Sequence, residues 1–90
     1  MEKFFKLYDE LRKEYPLYMV LKHINRRWRI EVYGRQMVHN GSDAEIISTE
    51  HESRGQCFID AEKLLSGSST QLQNLLKGRE LYERFKHNFL

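Results

Sequence analysis

The sequence predicts an α+β fold of order α-β-β-β-α-α, in which a three-stranded antiparallel sheet is packed by helices. Three observations carry that expectation. Apolar residues recur every three or four positions over the first fifteen residues, they alternate with charged ones around Trp28, and Ser53-Arg54-Gly55-Gln56 has the form of a helix capping box. At 90 residues, 40% of them hydrophobic and 31% charged, the chain has apolar material for one small core and none to spare for a second. Residues 1–90 are therefore read as a single domain.

Residues 1–15 form the N-terminal helix, read as Glu2 to Glu14, because Phe4, Leu7, Tyr8, Leu11 and Tyr15 fall on one helical stripe. Pro16 ends it, since proline lacks an amide donor and drives the preceding residue out of helical geometry. Residues 17–50 form the sheet. The β-rich run from Leu17 to Ile24 is followed by Asn25-Arg26 and then by Arg27 to Tyr33, a hairpin pattern. Period two places Trp28, Ile30 and Val32 on one face and Arg27, Arg29, Glu31 and Tyr33 on the other. The second strand is expected either to continue to Val38 or to bulge at Gly34, and Asn40-Gly41 supplies a turn before a third strand from Ala44 to Glu50. Simple alternation in that strand sets Glu45 opposite to Ile46 and puts Glu50 on the face of Ile46.

Residues 53–66 form a capped helix whose buried side is expected at Cys57, Ala61, Leu64 and Leu65, flanked by Phe58. The small residues from Ser66 to Thr70 break it. Residues 70–90 form the C-terminal helix, with a bend expected at Gly78, because Leu72, Leu75 and Leu76 lie on one arc and Tyr82, Phe85 and Phe89 on another.

From Tyr18 to Ser68 the chain shows a strand ending near a turn, the aromatic-led strand WRIEV, a glycine-containing loop, the run Glu45-Ile46-Ile47-Ser48-Thr49-Glu50 and a Ser-capped helix. In this it resembles the YegP-like family of small bacterial modules. The resemblance covers about half the chain and implies a β-β-β-α architecture, and that family's function is largely undefined. Phe58 and Ile59 stand where the family is usually polar, and both terminal helices are additional. The α-β-β-β-α order also resembles the double-stranded RNA-binding domain. That domain grips phosphates with a basic cluster at the start of its last helix, where this chain has Arg54 as its one cation and Asp60 close by.

The candidates for chemistry are few. Cys57 is the sole cysteine and forms no intramolecular disulfide, so packing alone must hold the fold. Its place beside Ala61 and Leu64 marks it as a buried structural thiol. His23, His39, His51, His87 and Cys57 lack the paired spacing of a zinc site, and no metal or other cofactor is expected. No nucleophile elbow, P-loop or dinucleotide glycine pattern is present, so no catalytic residue is assigned and the protein is expected not to be an enzyme. Met1 to Tyr8 lacks a signal-peptide apolar core and no run reaches a membrane span, so the expected location is the cytoplasm, with no membrane partner.

Net charge is only +2, yet it is unevenly arranged. Residues 16–40 hold Lys22, Arg26, Arg27, Arg29 and Arg35 against Glu31, while residues 41–65 hold Arg54 and Lys63 against six acidic residues. The two blocks partly neutralise each other if the hairpin pairs with the third strand, and stay segregated if it is splayed away. Arginines beside a tyrosine suit a protein surface or phosphates with stacked bases. The candidate binding residues are therefore Arg26, Arg27, Arg29, Tyr33 and Arg35. A second candidate surface, for a partner or an oligomer, is the aromatic stripe Tyr82, Phe85 and Phe89. The function expected is a small macromolecule-binding module, a protein-interaction, regulatory or inhibitor protein of the kind phages encode. The alternatives are nucleic-acid binding by the hairpin and homo-oligomerisation through the tail.

Overall fold

Six elements follow one another in the order read from the sequence: α1 (Glu2–Arg12), β1 (Leu17–Ile24), β2 (Arg27–Gly34), β3 (Ala44–His51), α2 (Arg54–Ser66) and α3 (Ser69–Phe89). This computed structural model describes residues 1–35 and 43–89, with side chains through Gly78 and again at Arg84. The strands form one antiparallel sheet with β2 in the centre. The expected extension of β2 to Val38 and the turn at Asn40-Gly41 lie outside the described residues.

The hairpin between β1 and β2 closes over two residues, with Ile24 opposite Arg27. Asn25 and Arg26 both have positive φ, 54° and 63°, as a primed two-residue turn demands. Asparagine tolerates that region. Arginine does so at a cost of about 1–2 kcal/mol, because its Cβ crowds the following carbonyl.

Burial divides the sheet into two unlike faces. Ile30 and Val32 are fully buried beneath the helices, together with Leu17, Ile46 and Ile47. α2 lies across β3 and β2, and α1 packs on α2 and on β1. From α1 come Phe4 and Tyr8, from α2 come Cys57, Phe58, Ala61 and Leu65, and from α3 come Leu72 and Leu75. Phe58 meets the Phe4 ring edge-on at 5.4 Å. Each such side chain contributes about 1.5–3 kcal/mol on burial, and an aromatic pair adds about 0.5–1.5 kcal/mol. All of these groups lie on the Trp28, Ile30 and Val32 side, so the helices cover one face and leave the other open.

Several local expectations change. α1 stops at Arg12, capped by Lys13, because the turn that leads into Pro16 takes Tyr15 out of the helical path. Leu64 is exposed and Phe58 is in the core, so the buried arc of α2 is Cys57, Phe58, Ala61 and Leu65. At the start of α2 the Ser53 hydroxyl accepts the Gln56 amide at 3.2 Å, as a cap should. The reciprocal half differs: Gln56 donates to Asp60 at 2.9 Å, and the Ser53 amide donates to His51 Nδ1 at 2.8 Å. The break before α3 shortens to Gly67 and Ser68, with the Ser68 hydroxyl buried and donating to the Leu65 carbonyl at 2.6 Å. α3 then runs through Gly78 as one uninterrupted helix.

The bulge lies in β3 and not at Gly34. Val32 pairs with Ile47 and Tyr33 with Glu45, which leaves Ile46 as the extra residue. Two consecutive isoleucines thereby both turn inward. Gly34 keeps ordinary strand geometry and serves close approach: a Cβ there would overlap the isobutyl group of Leu75.

Replacing Gly34 by valine should therefore lower stability by about 1–3 kcal/mol, as overpacking does. In a urea-denaturation double-mutant cycle the penalty should shrink when Leu75→Ala is combined with it. Equal penalties in both backgrounds would mean that α3 does not dock over Gly34.

Candidate recognition surface on the open sheet face

Antiparallel partners project to the same side of a sheet, so the register composes the open face directly. Across β1 and β2 the rows pair Tyr18 with Tyr33, Val20 with Glu31, Lys22 with Arg29 and Ile24 with Arg27. β3 adds Glu45 beside Tyr33, Ser48 beside Glu31 and Glu50 beside Arg29. Because the bulge shifts the alternation, Glu50 lies opposite to the buried Ile46, contrary to the simple reading of β3. Glu45 and Glu50 thus share the face of the arginines.

At the centre stands Glu31, only 4% exposed although no helix covers it. Its neighbours bury it. Lys22 Nζ lies 3.0 Å and Arg29 Nε 3.7 Å from Glu31 Oε1, while the Tyr33 hydroxyl donates to Oε2. The Lys22 ammonium, whose three hydrogens rotate freely, is the cation nearest Oε1. The Tyr33 hydroxyl above all, then Lys22, holds the Glu31 carboxyl below its ordinary value. The same hydrogen bond, reinforced by desolvation, pushes the Tyr33 phenol up to about 12.

Two further groups flank this centre. Tyr18 stacks on Tyr33 with centroids 5.4 Å apart, donates to Asp43 at 2.6 Å and carries the Arg35 guanidinium 5.5 Å above its ring. The hydrogen bond to Asp43 raises the Tyr18 phenol, with a smaller push from burial. Toward the hairpin turn, Arg27 reaches Glu50 at 3.5 Å and Glu52 at 3.4 Å. A concavity of about 330 Å³ opens there, lined by Lys22, Ile24, Asn25, Arg27, Arg29 and Glu50.

The expected binding residues thus come together in part. Arg27, Arg29 and Tyr33 share the open face, Arg35 joins it over Tyr18, and Arg26 stands exposed at the turn. The side chains of Tyr82, Phe85 and Phe89 lie outside those described. Glu31 lies on the face that alternation gave it, and sequence reasoning missed Tyr18, Lys22 and Glu50 as members of the surface. The signal for the first two was available in the two-residue hairpin, which fixes the β1 to β2 register. The basic and acidic blocks partly neutralise each other, since β2 pairs directly with β3 and Arg27 meets Glu50 and Glu52.

Other chemically capable groups serve packing. Cys57 is fully buried, with Sγ 3.4 Å from the Trp28 carbonyl and 3.7 Å from that of Thr49, and burial raises its thiol pKa. His23 stacks on Trp28 at 3.9 Å, and Arg54 covers the same ring. Among the described residues no three His, Cys, Asp or Glu side chains converge to hold a metal ion, and no helix is long and apolar enough to cross a membrane. No family model, curated protein or solved structure matches the chain.

Titration of the open face should show its central hydrogen bond. The Tyr33 phenolate absorbance should appear near pH 12, and Glu31→Gln should move it back toward 10. The raised phenol favours folding below pH 10, and that contribution is lost as pH rises through about 12. For Glu31 the sign is opposite: its contribution is present above the ordinary carboxylate value of 4.5 and is lost as pH falls through its lower folded value. Urea midpoints measured down the acid range should therefore fall less steeply for Glu31→Gln than for the native protein. At the turn, Arg26→Gly should raise stability by about 0.5–1 kcal/mol, because glycine adopts positive φ without the steric cost. A thermal melt showing lower stability would contradict the turn geometry.

Proposed function

We propose that this protein is a small non-enzymatic recognition module that binds another protein through the open face of its sheet, in the manner of a regulator or inhibitor. The observation that carries this reading is the charge compensation on that face. Arg27 is held by Glu50 and Glu52, while Lys22 and Arg29 share Glu31. A nucleic-acid surface needs cations free to replace the counterions of several phosphates. Here carboxylates from the same chain already occupy those cations, an arrangement suited to a mixed-charge protein surface.

The apolar and aromatic groups agree with that reading. Ile24 is 61% exposed on the face beside Arg27, three rows from the Tyr18 and Tyr33 stack. Arginine and tyrosine are enriched among residues that dominate protein interfaces, where truncating one costs about 2 kcal/mol or more. The cytoplasm is the proposed place of action, consistent with a single unpaired cysteine.

Tagged protein used to capture partners from nuclease-treated lysate of the source organism should retain a defined protein. An Ile24→Glu, Arg29→Glu variant should weaken that capture about thirtyfold or more while keeping the native circular dichroism spectrum. Loss of the captured material on nuclease treatment, or tight binding of random oligonucleotides that collapses with salt, would replace this reading with nucleic-acid recognition. Capture indifferent to the double substitution would remove the open face as the contact surface.

A further inference from the structure

We propose that β1 pairs antiparallel with β1 of a second copy of this chain, joining the two sheets edge to edge about a two-fold axis at Leu21. The proposal is independent of the partner reading. Among the described residues β1 is bonded to β2 alone along its eight residues. The sheet there leaves two large apolar side chains exposed, Leu21 at 44% and Ile24 at 61%, and both belong to this strand. They point to opposite faces, Leu21 with the buried Ile30 and Ile24 with Arg27 on the open side. What they share is the edge.

The ladder shows which backbone groups are free. The Arg35 amide donates to the Pro16 carbonyl at 2.8 Å, so by alternation Tyr18, Val20, Lys22 and Ile24 turn their amides and carbonyls into β2. Those of Leu17, Met19, Leu21 and His23 point outward. The Leu17 amide donates to the Tyr15 carbonyl at 2.9 Å and the Met19 amide faces the Tyr8 hydroxyl, which leaves the amides of Leu21 and His23 to be paired.

A two-fold contact needs an edge complementary to itself, and this one is. With the axis at Leu21 the two Leu21 residues exchange both bonds, and each His23 amide donates to the Met19 carbonyl across the axis. On the open side Tyr18 meets Ile24 of the second copy and Val20 meets the aliphatic stem of its Lys22, while the exposed leucines cover each other. Neighbouring axes fit worse. One at Lys22 sets ammonium against ammonium, one at His23 runs the ladder into the left-handed turn at Asn25, and one at Val20 or Met19 spends its bonds on amides already taken. Burial follows the same symmetry: β1 is buried or half-buried from Leu17 to Val20 and exposed from Leu21 to Ile24. The covered half of each strand therefore lies beside the bare half of the other, which keeps each α1 away from the axis.

The test is sedimentation equilibrium of the intact protein, joined to amide hydrogen exchange. The native chain should form a dimer with Kd on the order of 100 micromolar, as a small contact allows. Exchange at the Leu21 and His23 amides should slow as concentration rises, and exchange at Lys22, bonded to β2, should not. Val20→Lys sets like charges opposite each other on both sides of the axis and should weaken the dimer about tenfold. Within one copy that lysine is tolerated, because Val20 lies across from Glu31. Adding Lys22→Glu makes the opposed charges unlike and should restore the dimer, with an ammonium still beside Glu31. A native chain that stays monomeric, or a Leu21 amide indifferent to concentration, overturns the proposal. So does a dimer that ignores Val20→Lys, which must then form through another surface, or a folded double variant that fails to reassociate.

Discussion

Phe58 stands edge-on to Phe4, and through that contact the N-terminal helix, which meets the sheet along β1, is fastened to the helix lying across β2 and β3. The rest of the molecule follows from this junction. It fixes a single helical layer over Ile30 and Val32, and among the described residues no second layer is built beneath. The described side chains of the underside are left to satisfy one another. Cys57, neighbouring Phe58, closes the same junction from below by placing its sulfur against two strand carbonyls.

That obligation explains the form of the open face. A three-stranded surface carrying several arginines would repel itself if the acidic residues were elsewhere. The register brings Glu31 and Glu50 into the arginine rows, and Glu52 reaches Arg27 from just beyond β3. Glu31 is the extreme case, a carboxylate almost sealed from solvent by the side chains that neutralise it. Such a group is costly to bury alone and tolerable with cations and a phenol around it. Pair energies at the exposed margin are small, since Arg27, Glu50 and Glu52 stay substantially in water. Their effect is to set the potential that an approaching surface meets.

Much of this was legible in the residues. Alternation in β2 assigned Trp28, Ile30 and Val32 to the core and Arg27, Arg29 and Tyr33 to the other side, because a central strand with two chemically distinct faces leaves no ambiguity. Ser53 marked the start of α2 for an equally local reason. What escaped depended on partners distant in sequence. Ile46 and Ile47 are both apolar, so periodicity does not reveal that one of them is extra, and that insertion reverses the facing of Glu50. Leu64 and Phe58 lie on different sides of α2, and the ring of Phe4 meets the Phe58 side. Gly34 reads as a turn glycine until Leu75 occupies the space where its side chain would be.

The bulge at Ile46 also bears on solubility. Among the described residues the sheet has two outer strands, β1 and β3, each bonded to β2 alone. An outer strand offers its unpaired amides and carbonyls to any extended chain that drifts past, and irregular spacing spoils it as a template. The residue that adds an isoleucine to the core thus makes β3 a poor seed for intermolecular pairing. β1 keeps eight regular residues, with Lys22 as the charge that discourages stacking, and is the side from which a foreign strand would extend the sheet.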